Sequence, residues 1–164
     1  TGCLLCLAFL NWDDANVQAS LISSNATYNK QQVSRIHFFP NFLYSGTYDP
    51  KLLWVGLLQG DLIVMAFKHV FLSPSSTQGG RERSHDSSRG TRSGNAQLYG
   101  MTSVTKKSIA YIATQVMFCL TSEATFHRTS SVIDPVKFYD SLLHYLYDSE
   151  YDVEVDGLLA WWNK

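Results

Sequence analysis

Apolar residues recur every three or four positions before Leu120, and this spacing constrains the fold more than any other feature of the chain. Side chains three and four residues apart lie on one face of an α-helix. The spacing therefore predicts an amphipathic helix that starts near Thr102 to Thr105 and buries one face. The apolar residues of that face are Ile109, Ile112, Ala113, Val116, Met117 and Leu120.

Two further segments with this period lie closer to the C-terminus. The first begins at Asp134-Pro135, where the aspartate can cap a helix and the proline fits the first turn. The second covers residues 152–163. Both patterns predict amphipathic helices. Their apolar faces consist of Phe138, Leu142, Tyr145 and Leu146 in the first helix, and of Val155, Leu158, Leu159 and Trp162 in the second.

A second Asp-Pro pair, at residues 49–50, precedes the longest apolar run of the chain. This run predicts a helix from Pro50 to Ser73 that is apolar nearly all round and is buried by its neighbours. Gly56 and Gly60 are four residues apart and predict a close helix crossing. A membrane span is the alternative, but polar and charged residues interrupt the run before it reaches the ~18–20 apolar residues that a span requires. We therefore expect no membrane segment.

The remaining segments are short, aromatic or polar. A short helix is predicted from about Asp13, and the aromatic segment 36–48 is predicted to pack on the core as an extended segment or a loop. Residues 73–100 are rich in Ser, Gly and Arg and predict a long, flexible polar loop. No pair of strands with a hairpin turn is indicated. The sequence therefore predicts a mainly α, single-domain helical bundle of four to five helices over residues 1–164, and the absence of an initial Met suggests a fragment.

The composition is that of a folded protein without a strong net charge. Hydrophobic residues make up 45% of the chain and charged residues 16%, which argues against disorder. A formal net charge of −1 creates no overall field that would attract nucleic acid or a membrane surface. Three cysteines form no disulfide framework, so we expect an intracellular protein, either nuclear or cytoplasmic.

The sequence indicates neither a metal site nor a catalytic centre. Cys3-x-x-Cys6 has no second pair of ligands at zinc spacing, and the acidic stretch 152–157 lacks the glutamate that closes a calcium loop. No histidine lies in a known catalytic motif. His69 is predicted to be a satisfied core residue, and Cys119 a buried, small apolar one. We therefore expect no catalytic residue, no metal and no cofactor, and we favour a non-enzymatic function.

The glycine-rich segment 90–100 is the strongest candidate for a contact site. Such a turn before a helix can present N–H groups to an anion, and lysines in a first helical turn oppose the helix dipole unless a negative group lies nearby. The spacing matches neither a P-loop nor a dinucleotide fingerprint. The alternative is a structural loop with tight turns. The residues predicted to contact an anion or a partner are Arg89, Arg92, Asn95, Lys106 and Lys107.

Together these patterns favour a helical interaction module that binds an unknown protein partner. The predicted contact surface combines the loop 79–101 with the start of the helix near Thr105. The alternative is a nucleic-acid-associated protein, an accessory of a mobile element, that binds phosphate through residues 89–107. An enzyme acting on a phosphorylated small molecule is the third and least favoured hypothesis.

Several segments, taken together, resemble a known family. They are TGCLLC, TYDP, LLQGDLIVMAFKHVFLSPSS, GTRSGNAQLYGMTSVTKKSIAYIATQVMFCLTS, FYDSLLHYLYD and LLAWWNK. In this order they resemble a domain of unknown function that occurs in many copies in mushroom-forming basidiomycete fungi. The resemblance implies an intracellular, mainly helical protein without an assigned activity, cofactor or catalytic residue. It also implies that Cys3 is incidental, since similar members usually have one cysteine in the TGCLLC segment.

Overall fold

The computed structural model describes residues 2–22, 39–72, 94–121 and 134–164, and the prediction of a mainly helical fold is confirmed there. These residues contain no β-strand, and only two isolated β-bridges occur among them. The α-helices are α1 (Gly2–Leu5), α2 (Ala15–Ile22), α3 (Asp61–Phe67), α4 (Asn95–Leu98), α5 (Lys106–Leu120), α6 (Pro135–Leu146) and α7 (Asp152–Trp162). A π-helical segment, Lys68–Leu72, continues α3.

Helix α5 is the centre of the fold and begins within the predicted region, directly after Thr105. The Thr105 hydroxyl accepts a hydrogen bond from the main-chain N–H of Ser108, and the Ser108 hydroxyl accepts one from the N–H of Thr105. Ile109 and Ile112 are completely buried. Burying one such side chain contributes about 1.5–3 kcal/mol. Because α5 packs against both α6 and α3, its predicted apolar face becomes the middle of the core.

Helices α6 and α7 also match their predicted limits. Asp134 caps α6 by accepting hydrogen bonds from the N–H groups of Val136 and Lys137. At the other end of the chain, Asn163 fixes the end of α7 to the start of α5. Its side chain accepts a 2.7 Å hydrogen bond from the N–H of Val104 and donates one of 3.2 Å to the carbonyl of the same residue.

The predicted packing of the aromatic segment on the core is correct for residues 39–48. Phe39, Phe42, Leu43 and Tyr44 are buried, and a short 3₁₀ turn forms at Asn41–Leu43. The main chain of this segment pairs with residues near α1, where the N–H of Ala8 donates to the carbonyl of Phe39. The segment therefore adds an irregular, largely aromatic wall to a helical core.

The predicted start of the third helix at Pro50 is wrong, since α3 begins only at Asp61. Between Asp49 and Gly60 the chain makes consecutive turns, in which Gly56 and Leu58 take positive φ angles of 73° and 59°. Asp49 still caps locally, because its carboxylate accepts from the N–H of Lys51, but it caps a turn. An apolar composition alone did not decide between turn and helix.

Pairing with the aromatic segment explains these turns. The N–H of Ser45 donates to the carbonyl of Gly56, and the N–H of Gly60 donates to the carbonyl of Leu43. A Cβ atom on Gly60 would overlap the carbonyl of Phe42, so this position requires glycine. The glycines do mark a close approach, but the neighbour of Gly60 is main chain of the aromatic segment and not another helix.

Helix α3 and its π-helical continuation bury only one face, so the prediction of a helix buried all round is also wrong. Ile63 and Phe67 are buried, whereas Met65 is 50% exposed. His69 is exposed and is not a core residue. Cys119 is exposed as well. It follows Tyr111 and Gln115 at four-residue spacing, so it lies with them on the less buried side of α5.

Candidate functional site

Asn95, a predicted contact residue, has a structural role. Its side-chain amide donates a 2.7 Å hydrogen bond to the carbonyl of Val70, in the π-helical segment. The preceding Gly94 lies directly against the carbonyl of Leu72. Because the last carbonyls of a helix lack intrahelical partners, the Asn95 bond satisfies one of them and fixes the one-turn helix α4 to the end of α3.

The two predicted lysines at the start of α5 differ in their surroundings. The Nζ atom of Lys106 lies 4.9 Å from the ring centroid of Tyr147, directly after α6. This cation–π contact places a favourable partner beside a charge that opposes the helix dipole. Lys107 is exposed. Arg89 and Arg92 lie outside the described residues, so a common site for all five residues stays a prediction.

Helix α4 presents two large apolar side chains to solvent. Leu98 is 66% exposed and Tyr99, directly after the helix, is 87% exposed. Leu72, at the end of the π-helical segment that α4 packs against, is 48% exposed. We call these three residues the α4 knob. Leu98 and Tyr99 lie within the surface that the sequence predicts for contacts, but the residues predicted there were cationic or polar and not these apolar ones.

An apolar cleft separates the outer sides of α3 and α5. Its volume is about 520 Å³. The walls are formed by Leu62, Met65 and Ala66 of α3 and by Ile112, Val116 and Leu120 of α5. We call it the α3–α5 cleft. It exists because α3 and α5 meet along Ile63, Phe67 and the core face of α5, while the neighbouring side chains of both helices remain unpacked.

Four polar or polarisable side chains also line the α3–α5 cleft: His69, Tyr111, Gln115 and Cys119. His69 belongs to the π-helical segment, and such interruptions of helices are frequent at functional sites. Tyr111, Gln115 and Cys119 follow each other at four-residue spacing along α5. This spacing is a readable signal in the sequence, but the cleft itself depends on where α3 packs.

Metal-binding groups do not converge in the part of the chain that is described. Across residues 2–22, 39–72, 94–121 and 134–164, no three His, Cys, Asp or Glu side chains could hold a metal ion together. Burial, followed by the neighbouring Cys3, raises the pKa of the Cys6 thiol. A raised pKa lowers the fraction of thiolate, the reactive form, so Cys6 fits a packing role.

Tyr44 has a buried hydroxyl without a hydrogen-bond partner among the described residues. Burial raises the pKa of Tyr44 strongly, and the nearby Tyr48 and Tyr145 add to the shift. This group sits inside the aromatic wall, where it contacts the ring of Tyr48 edge-on. Because Tyr44 belongs to the buried core cluster, we assign it to the core.

The whole chain, residues 1–164, matches the model of a family of unknown function, DUF6698. The chain belongs to this family. No curated protein and no solved structure matches it.

Membership in DUF6698 confirms the resemblance at the level of a family of unknown function that covers the entire chain. It assigns no activity, substrate or partner to the members of DUF6698. None of the helices within the described ranges is long and apolar enough to cross a membrane.

Proposed function

We propose that the chain is a non-enzymatic interaction module that binds a protein partner through the α4 knob. The observation that carries this proposal is the exposure of Leu98 and Tyr99, 66% and 87%, on a helix that Asn95 ties to α3. Large apolar side chains that are held in place but left in water mark interaction surfaces more often than scattered ones do.

The shape of the α4 knob favours a protein as the occupant. Leu98 and Tyr99 protrude and cannot enclose a small molecule, so the complementary pocket must belong to the partner. Tyrosine is enriched among the residues that dominate binding energies at interfaces. The expected partner therefore offers an apolar pocket with a hydrogen-bond acceptor or donor near the position of the Tyr99 hydroxyl.

An intracellular location belongs to the same proposal. All three cysteines are free, and two of them, Cys3 and Cys119, are exposed. Exposed free thiols suit a reducing compartment. The origin in basidiomycete fungi and the occurrence in many copies rest on the family resemblance alone.

A direct binding measurement tests the proposal. The partner is first captured with the wild-type chain and purified, and its affinity is then measured by calorimetry. Replacing Leu98 and Tyr99 by serine should weaken binding at least tenfold, which is the typical effect of removing a dominant contact. The matched control is Val153→Ser on α7, since Val153 is 83% exposed. Equal affinities of wild-type chain and double variant would refute the proposal.

Nucleic-acid binding is the alternative function, and exposed Lys107 is the described residue that supports it. Asn95 and Lys106 support it less, because they already contact Val70 and Tyr147. Alanine at Arg89, Arg92, Lys106 and Lys107 should then abolish the retention of DNA or RNA in a gel shift at low salt, with a strong salt dependence for the wild type. No retention of the wild-type chain at low salt would exclude this alternative.

A further inference from the structure

The α3–α5 cleft has the size of a small-molecule site. Ligand sites in proteins usually enclose about 300–1,000 Å³ and are lined mainly by apolar side chains with a few polar groups. The cleft measures about 520 Å³ and has seven apolar wall residues. At about 30 Å³ for each water-sized group, this volume holds roughly 17 such groups. A compact organic molecule therefore fits it.

The length of the cleft argues against a protein as its occupant. Its wall runs from Leu62 in α3 to Val70 in the π-helical segment, and from Tyr111 to Leu120 on α5. At 1.5 Å per helical residue these distances are about 12 Å and about 14 Å. A stable protein interface buries about 800 Å² on each partner, which is much more than a face of this length offers. The cleft alone is too small for a partner helix.

The polar groups of the cleft point to the chemistry of the ligand. Tyr111 and Gln115 are neutral hydrogen-bonding side chains, and His69 offers an imidazole. None of the three makes a side-chain hydrogen bond to the residues that the structure describes. Asp61, Lys68, Lys106 and Lys107 are the charged residues of α3, its continuation and α5, and none of them is among the lining residues. Among the residues that the structure describes, an ionic ligand would therefore find no fixed countercharge in the cleft.

We propose that the α3–α5 cleft binds a neutral, largely apolar small molecule with one hydrogen-bonding group, such as a hydroxyl or a carbonyl. The apolar body lies between Ala66 and Val116, and the polar group exchanges hydrogen bonds with Gln115. This site is separate from the α4 knob, so the two proposals stand or fall independently.

A fluorescence assay with the full chain tests this site. The probe is N-phenyl-1-naphthylamine, which is neutral and fluoresces strongly when it leaves water. Ala66→Leu fills the cleft and should weaken probe binding at least tenfold. The matched control is Ala160→Leu, since Ala160 is exposed on α7. If Ala66→Leu does not fold, as judged by circular dichroism, Cys119→Leu replaces it, because Cys119 is exposed and lines the same cleft.

Displacement of the probe by 1-decanol and by decanoate tests the chemical class. The neutral alcohol should displace the probe at a concentration at least fivefold lower than the anion. Gln115→Leu should weaken the binding of 1-decanol two- to tenfold, which is the range for one hydrogen bond. Gln97→Leu on α4 is the control, and Gln97 is exposed and lies outside the cleft.

Three results would overturn this inference. The first is probe binding by Ala66→Leu or Cys119→Leu that equals that of the wild type, which would place the probe elsewhere. The second is displacement of the probe by 1-decanol and by decanoate at equal concentrations, which would show that the cleft has no preference for neutral ligands. The third is an equal effect of Gln115→Leu and Gln97→Leu. The serine double variant of Leu98 and Tyr99 should bind the probe with wild-type affinity. A negative result for partner binding by the α4 knob would therefore leave the proposal for the α3–α5 cleft intact.

Discussion

The indole Nε1 of Trp162 donates a 3.1 Å hydrogen bond to the main-chain carbonyl of Leu58, 104 positions earlier in the chain. Leu58 is completely buried and has a φ of 59°, a left-handed conformation that costs a non-glycine residue about 1–2 kcal/mol. The ring centroids of Trp162 and Phe67 are also only 5.0 Å apart. One side chain of α7 thus holds the strained turn before α3 and contacts α3 itself.

Replacing Trp162 by phenylalanine should lower the free energy of unfolding by about 1–3 kcal/mol, because the buried carbonyl of Leu58 loses its donor. The contact with Phe67 is largely kept, since an aromatic ring remains. Urea denaturation followed by circular dichroism measures the effect. Trp161→Phe is the control, because Trp161 is 38% exposed, and it should cost about 0.5 kcal/mol or less. Equal losses for both variants would contradict this role of Trp162.

Alanine at Gly60 and at Gly157 should have opposite effects on stability. At Gly60 the new methyl group meets the main-chain carbonyl of Phe42, which cannot move aside, and we expect a loss of about 1–3 kcal/mol. At Gly157, inside α7, no atom lies within 4 Å of the new Cβ, so alanine should gain about 0.5–1 kcal/mol. Melting temperatures of the two variants check both signs. A Gly60→Ala variant as stable as the wild type would show that the main chain of the aromatic segment does not lie in close contact with Gly60.

The stability contribution of Asp134 should depend on pH. Hydrogen bonds from the N–H groups of Lys137 and Val136, aided by the Lys137 ammonium 3.5 Å away, lower the pKa of Asp134. A carboxyl whose pKa is lower in the folded state stabilises the fold above its unfolded pKa, near 3.9, and loses this contribution as the pH falls through the folded pKa. Asp134→Asn keeps a capping oxygen but does not titrate, so its stability should fall less steeply below about pH 4.

Urea midpoints between pH 2.5 and 7 measure this difference. Asp140→Asn on the same helix is the matched control, because the Asp140 carboxylate is exposed and makes no hydrogen bond to the described residues. It should follow the wild-type profile. Parallel profiles of Asp134→Asn and wild type would show that the ionised cap does not contribute.

Local signals predicted the helices whose ends are defined by neighbouring residues. Thr105 and Asp134 cap α5 and α6 with their own side chains, and the apolar spacing behind them selects the buried face. These interactions span at most four residues, so a single sequence contains all the information they need. The starts of α5 and α6 were therefore predicted correctly.

Contacts between distant segments determine the turns before α3 and the exposed side of α3, neither of which was predicted. The turns before α3 depend on Gly60 meeting the chain at Phe42 and on Trp162 reaching Leu58. The same packing leaves one face of α3 exposed to solvent. His69 is therefore exposed, and a cleft lies beside Gln115.

Local patterns in the chain are enough to specify a helical fold, because apolar spacing and capping residues act within one or two helical turns. The start of α3, and the side chains of α3 and α5 that border a cleft, depend instead on packing between distant segments. Each of these outcomes depends on the distance between groups far apart in sequence, and no local pattern specifies that distance.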